Sequence, residues 1–291
     1  MSQTEQQCAC NHPELVMLPV RGFGLAVDPS GLAPAPAPAL GCRERVDQDM
    51  HIYVNGNLSE SGDGLSPETA VKSYADAVLA LSKYDGCNQY TAYLHFASLK
   101  NLSELYPPII LYSGHYTSFT RCCISGDSHE TTNLGTLVIH PGCDIFIEDV
   151  CMTYLDNISS FIRIQNKISF NPQDQKYAIL SKYGGTVYFG VDCETYFRSG
   201  IYYSCAYILN SALYNAGRCK FYTLGNVSVE FGFLYCTHSG SIDFSDAVDY
   251  TGCTAVIGRK YRASFLSSIY SGGKILPGSE AGTLETGSIY A

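Results

Sequence analysis

After Leu81 no run of this chain is long enough or regular enough for a helix. From Cys87 onward it is a succession of short apolar segments, each broken by Gly, Asn, Asp or Ser. Residues 91–96 (Thr-Ala-Tyr-Leu-His-Phe) alternate and read as a strand. Residues 106–112 contain Pro107-Pro108, so a strand can begin only after them. Residues 114–118 form a corner, residues 119–124 another strand, and residues 127–132 a polar loop. Further strands are expected over 134–140, 144–150, 161–170, 186–191, 201–209, 219–224, 227–235, 241–244 and 254–257. Residues 167–182, with Asn171-Pro172-Gln173-Asp174, read as a lateral loop. Gly-Thr, Gly-Gly-Thr and Gly-Ser steps recur at Gly135, Gly185 and Gly240, at gaps of 50 and 55. Each gap is close to two coils of ~20–28 residues, a solenoid period. Compact strands in this pattern build either stacked coils or an all-β sandwich.

The segment that precedes them, 51–81, has a fixed order of parts. Ile52-Tyr53-Val54 is a strand. Gly56, Gly62, Asp63 and Gly64 make a turn, and Ser66-Pro67 starts another. Ser73 is placed as a helix N-cap, with Asp76 adding negative charge to the first turn. Tyr74, Ala77, Val78 and Leu81 then repeat at helical spacing and form one apolar face. A short amphipathic helix ahead of stacked strands suits a lid, because the first layer of a solenoid exposes its interior and an unpaired edge.

On Asp63-Gly64-Leu65-Ser66 and the Lys72-Ser73 helix entry, the segment resembles the entry of right-handed parallel β-helix (pectate-lyase-like) proteins of bacteriophage and prophage tails. The run 272–291, with its Pro-Gly step, spaced glycines and Tyr290, resembles the glycine-rich ending of phage tail-fibre proteins. The resemblance implies an all-β chain: a right-handed parallel β-helix with a short N-terminal capping helix and an extended N-terminal arm. It divides the chain into an attachment arm and linker (1–50), an entry segment (51–86), a β-helix body (87–258) and a glycine-rich C-terminal segment (259–291). It also implies a homotrimer in a virion tail, docked on other tail or baseplate proteins through residues 1–50. The alternating Ala-Pro run 33–39 within that arm favours an extended polyproline conformation.

Composition narrows the function classes. Charged residues are 15% of the chain, Tyr occurs 23 times and Trp is absent. A net charge of −9 disfavours nucleic acid and anionic lipid as partners, since both call for a basic surface. No apolar run reaches the ~18 residues of a membrane span, so no membrane insertion is expected. The first residues lack the basic flank and apolar core of a secretory signal, so folding in a cytoplasm is expected. With 13 cysteines and no such signal, the thiols are expected free, as small apolar interior residues. Cys8, Cys10 and His12, or Cys122-Cys123, do not complete a metal-ligand spacing. No cofactor and no metal are expected.

For catalysis the candidates are Asp192 and Glu194, two apart and on one face if they share a strand. A carboxylate pair of this kind cleaves glycosidic bonds. Glu148-Asp149, Asp243, Asp246 and Asp249 are further carboxylates, and turn or strand-end Asp residues are the plain alternative. His238, Ser239 and Asp243 lack the context of a triad. For binding, Tyr177, Tyr183, Tyr188, Tyr196, Tyr202, Tyr203, Tyr207 and Tyr214 crowd the middle of the chain. Rigid rings with a polar tip suit sugars or protein surfaces. Tyr183, Tyr188, Tyr196 and Tyr202 are the receptor-contact candidates. The expectation is a structural, receptor-binding tail-fibre protein that contacts a host-surface glycan or protein. The alternative is a tailspike depolymerase, a glycoside hydrolase or polysaccharide lyase, that uses Asp192 and Glu194.

Overall fold

The computed structural model describes residues 43–101, 103–116, 118–172, 176–244 and 247–291. Most of the expected arm, 1–42, lies outside the described residues. The described residues form an all-β parallel β-helix with one α-helix near the start, as expected. Three parallel sheets run along it. Sheet 1 stacks Met50–Val54, Thr91–Phe96, Arg121–Gly126, the first halves of Asp144–Met152 and Phe161–Phe170, then Thr186–Phe189, Ala212–Asn215, Ser241–Asp243, Ser268–Tyr270 and Ile289–Tyr290. Sheet 2 stacks Ile109–Leu111, Thr136–Ile139, Tyr154–Ile158, Ile179–Lys182, the ends of Cys193–Leu209 and Cys219–Thr237, then Tyr261–Ala263 and Thr283–Leu284. Sheet 3 stacks the second halves of Asp144–Met152 and Phe161–Phe170, the starts of the two long strands, and Val248–Gly252.

The stack follows from alternation locked in register. In Thr91–Phe96, Ala92, Leu94 and Phe96 are buried while the residues between them face outward. Parallel in-register pairing then places like residues over like. Ile145, Ile162, Val187, Leu213, Ile242 and Ile269 form one inward column, all fully buried. Burial of each contributes about 1.5–3 kcal/mol. Register partners Phe161, Thr186, Ala212, Ser241 and Ser268 recur every 25 to 29 residues. Eight of the ten described cysteines are buried and all ten are free. They act as small apolar side chains, and burial raises the Cys122 and Cys205 thiols well above their ordinary range.

Several sequence readings need correction. Parallel pairing extends beyond 87–258 at both ends, from Met50–Val54 to Ile289–Tyr290, so strands of the entry and glycine-rich segments join the stack. Residues 167–170 belong to the strand Phe161–Phe170, which turns from sheet 1 into sheet 3 at Asn166 (φ 51°). The glycine steps do not mark one corner. Gly185 and Gly240 precede sheet 1 strands, whereas Gly135 precedes Thr136–Ile139 of sheet 2.

The entry segment closes the open end. One edge of Met50–Val54 pairs with Thr91–Phe96. Its other edge is covered by the following loop: Tyr53 N–H donates to Gly64 O at 2.8 Å, and Val71 N–H donates to Tyr53 O at 2.8 Å. That arrangement covers the outer edge at Tyr53, where it would otherwise be open to template another strand. Gly64 turns at φ +82°, with Ile52, Val71 and Ala80 close around it. The helix α1 (Tyr74–Leu81) starts at Ser73, whose hydroxyl accepts from Asp76 N–H at 3.2 Å. Its buried residues are Ala77, Ala80 and Leu81, so Val78 lies at the margin of the face. Ala77→Asp buries an unpaired charge beneath the lid and is expected to cost about 3–5 kcal/mol. Ala75→Asp, on the exposed side, is expected to change stability by less than about 0.5 kcal/mol. Denaturant melts of the two variants check this, with aggregation of the first read by size-exclusion chromatography.

Candidate functional site

In-register stacking also builds columns on the outside. On sheet 3 the column reads Lys167, Glu194, Lys220, Asp249. Neighbouring strands lie about 4.8 Å apart, so like charges in a column would repel, and here the sign alternates. Glu194 meets Lys167 at 3.1 Å and Lys220 at 3.9 Å. The Tyr196 hydroxyl donates to Glu194 Oε2 at 2.7 Å. That hydrogen bond first, then Lys167 and Lys220, holds the Glu194 carboxyl below its ordinary range. Asp192 is not on the strand with Glu194. It sits in the preceding corner at φ 58° and pairs with Arg218 at 3.2 Å, both side chains largely exposed. The two carboxylates therefore do not share a strand face, and Glu194 is held as the ionised partner of two lysines, the opposite of a general acid.

The four tyrosines singled out from the sequence do not gather. Tyr188 lies on the outer column of sheet 1 between Arg163 and Tyr214. Tyr196 stacks on Tyr222 at 4.8 Å, with His129 at 4.7 Å. Tyr183 stands exposed at the corner between sheets 2 and 1. Tyr202 is a correction: it is fully buried, its hydroxyl donating to Phe170 O or Arg198 O, both at 3.0 Å. No receptor can touch its ring in this fold.

Rings do converge on the outside of sheet 2. Tyr207 stacks on Tyr235 at 4.6 Å, one coil later. Tyr177 lies 4.7 Å from Tyr207 and 5.5 Å from Tyr203. Phe231 lies 5.5 Å from Tyr203, and the Arg262 guanidinium caps Tyr235 at 5.3 Å. All five rings are half-buried. Burial first, and then the neighbouring tyrosines, pushes the Tyr177 hydroxyl up to about 12, so it stays a protonated donor. The strand that carries Tyr207 ends at outward-facing Leu209, beside Tyr183, so this aromatic surface runs into the exposed corner. The sequence signal for the cluster is the one-coil spacing of Tyr203 to Phe231 and Tyr207 to Tyr235; the tyrosine-dense stretch ends at Tyr214 and so leaves out Phe231, Tyr235 and Arg262.

Sheet 1 carries a polar chain near its first layers. Ser125 Oγ lies 2.7 Å from His95 Nδ1, and His95 Nε2 lies 2.9 Å from His51 Nδ1. In each contact one atom donates and the other accepts, which requires at least one neutral ring. Burial, then the neighbouring His51, lowers the His95 pKa, while Asp127 opposes. In the next layer the Asn166 amide donates to Glu148 at 2.9 Å and to Asp149 at 3.2 Å. Burial first, and then Asp149, raises the Glu148 pKa. Among the described residues no group of three or more His, Cys, Asp or Glu is placed to hold a metal ion.

No protein-family model, no curated protein and no solved structure matches this chain.

Two outcomes follow from these columns. A base whose folded pKa lies below its ordinary value near 6.5 binds fewer protons folded than unfolded. His95, His115 and His129 are all lowered by burial, so stability present above pH 6.5 is lost as the pH falls below it. Glu148 acts in the opposite sense above 4.5. Melting temperature is expected to drop between pH 7.5 and 5.5, and His95→Gln is expected to flatten that drop. On sheet 3, Glu194→Lys sets three cations in one column and is expected to cost more than Glu194→Gln, for which about 0.5–1 kcal/mol is expected. Urea melts at low and high salt measure both, and salt should narrow the gap.

Proposed function

We propose that this chain is a structural, receptor-binding protein of the tail-fibre type from a phage or phage-derived particle. Its attachment to a host-surface glycan or protein would run through the aromatic face of sheet 2. The observation that carries the reading is the column of Tyr177, Tyr203, Tyr207, Phe231 and Tyr235 on the outside of a slender solenoid. Rings already stacked on one another lose little freedom on binding, and half-exposed faces with hydroxyl tips fit a wet, partly polar ligand. The resemblance of residues 63–66 and 72–73 to the entry segment of phage tail β-helices supports the setting. Assembly as a homotrimer and placement in a virion tail, with other tail proteins held through residues 1–50, belong to the same proposal. A role as a depolymerase gains no support at Asp192 and Glu194, because each is tied up in ion pairs.

Fluorescently labelled full-length chain, incubated with a panel of bacterial cells and their purified surface polysaccharides, tests the reading. Retention on a subset of surfaces is expected, falling at least tenfold in the Tyr207→Ser, Tyr235→Ser double variant with no release of reducing ends. Light scattering is expected to give three times the chain mass. Uniform failure to adhere, or polysaccharide cleavage abolished by Asp192→Asn, would overturn the reading.

A further inference from the structure

At the corner between sheets 2 and 1 the backbone turns through positive φ in layer after layer. The residues there are Ser159 (56°), Tyr183 (58°), Asn210 (46°), His238 (51°), Ser239 (59°), Phe265 (53°), Leu266 (60°) and Thr286 (48°). This left-handed conformation favours Gly and Asn and is strained for bulky side chains. Some layers comply, with Gly184, Asn210 and Gly287. The β-branched Thr286 does not, and nor do three large apolar residues, Tyr183, Phe265 and Leu266. Their side chains gain nothing from the core in return, since they are 62%, 50% and 70% exposed. Strain held at exposed positions by apolar side chains marks a surface kept for contact.

These side chains border one open groove of about 540 Å³, together with Leu209 and His238. The His238 ring stacks on Phe265 at 4.7 Å. Asn210, Ser239 and Thr286 put an amide and two hydroxyls among the apolar lining, and no Asp, Glu, Lys or Arg lines it. The layers beneath are tied together: Ser239 N–H donates to Phe265 O at 2.9 Å, and Leu266 N–H donates to Thr286 O at 3.0 Å. The groove is therefore preformed, ring-lined, uncharged and edged by hydrogen-bonding groups.

We infer that this groove binds a neutral hexopyranose unit of a surface glycan. The apolar face of that unit would lie against Phe265 and Leu266, with its hydroxyls meeting Ser239 and Thr286, while Tyr183 and Asn210, in earlier layers, would face a neighbouring unit of the same glycan. The absence of Lys and Arg among the lining residues disfavours acidic and phosphorylated sugars. The inference rests on the receptor-binding reading above and names the ligand class and subsite for it.

The test uses the full chain, a set of neutral methyl hexopyranosides and an array of neutral oligosaccharides. Saturation-transfer NMR is expected to show transfer from aromatic protons to one face of at least one sugar. Phe265→Asn and Leu266→Gly relieve the backbone, so both should fold with an unchanged or raised melting temperature while affinity falls at least tenfold. Tyr183→Asn, three layers earlier, gives an independent variant with the same expected loss, read on the oligosaccharides. Absence of saturable binding by the wild type, or binding unchanged in all three variants, overturns the inference. So does a change in oligomeric state with no change in sugar binding, which would make the groove a contact between copies. Adhesion of the wild type to cells that neither the sugars nor the variants disturb overturns this inference and leaves the receptor reading standing. Sugar binding without adhesion to any cell would do the reverse.

Discussion

The structure depends on in-register parallel stacking, in which strand residues sit above and below their counterparts one coil away. Inside, that rule turns an alternating strand into a column such as Ile162, Val187, Leu213 and Ile242, where each layer fills the space left by the last. Outside, the same rule stacks rings on rings and would stack charges on charges. The alternation Lys167, Glu194, Lys220, Asp249 is the answer to that second consequence. It also explains why a carboxylate that looks free in the sequence is committed in space.

Ends and corners carry the costs of the arrangement. A stack has two terminal layers, and the first is closed by the 64–71 loop and α1, whose small buried residues let the lid approach Met50–Val54 closely. Corners need left-handed residues, and most are Gly, Asn or Asp, which adopt that conformation most readily. Where the corner between sheets 2 and 1 departs from this, it places Tyr183, Phe265 and Leu266 in the open beside the aromatic face of sheet 2. Rigid backbone beneath and exposed rings above is an arrangement suited to contact, because the scaffold has already been ordered when the partner arrives.

Much of the fold was legible in the sequence because alternation and capping are local. Thr91–Phe96, the start after Pro108 and the Ser73 cap all stand where the pattern put them. The site was less legible because it is set by register, which links residues 25 to 29 apart through coils of unequal length. Tyr202 looked like its neighbours but falls on the inward side, and Asp192 falls in a corner instead of a strand. Gly135 imitates Gly185 in sequence yet begins a strand of a different sheet. Tyrosine density points to a stretch of sequence; only the length of each coil decides which rings meet.

The central claim is the order of the layers, and methyl–methyl nuclear Overhauser contacts in selectively labelled protein read it most directly. Ile145, Ile162, Val187, Leu213, Ile242 and Ile269 should each show contacts to the members of the column before and after it, in sequence order, and to none two steps away. Absence of the Val187–Leu213 and Leu213–Ile242 contacts, or pairing of these methyls in antiparallel order, would contradict the stack and every surface built on it.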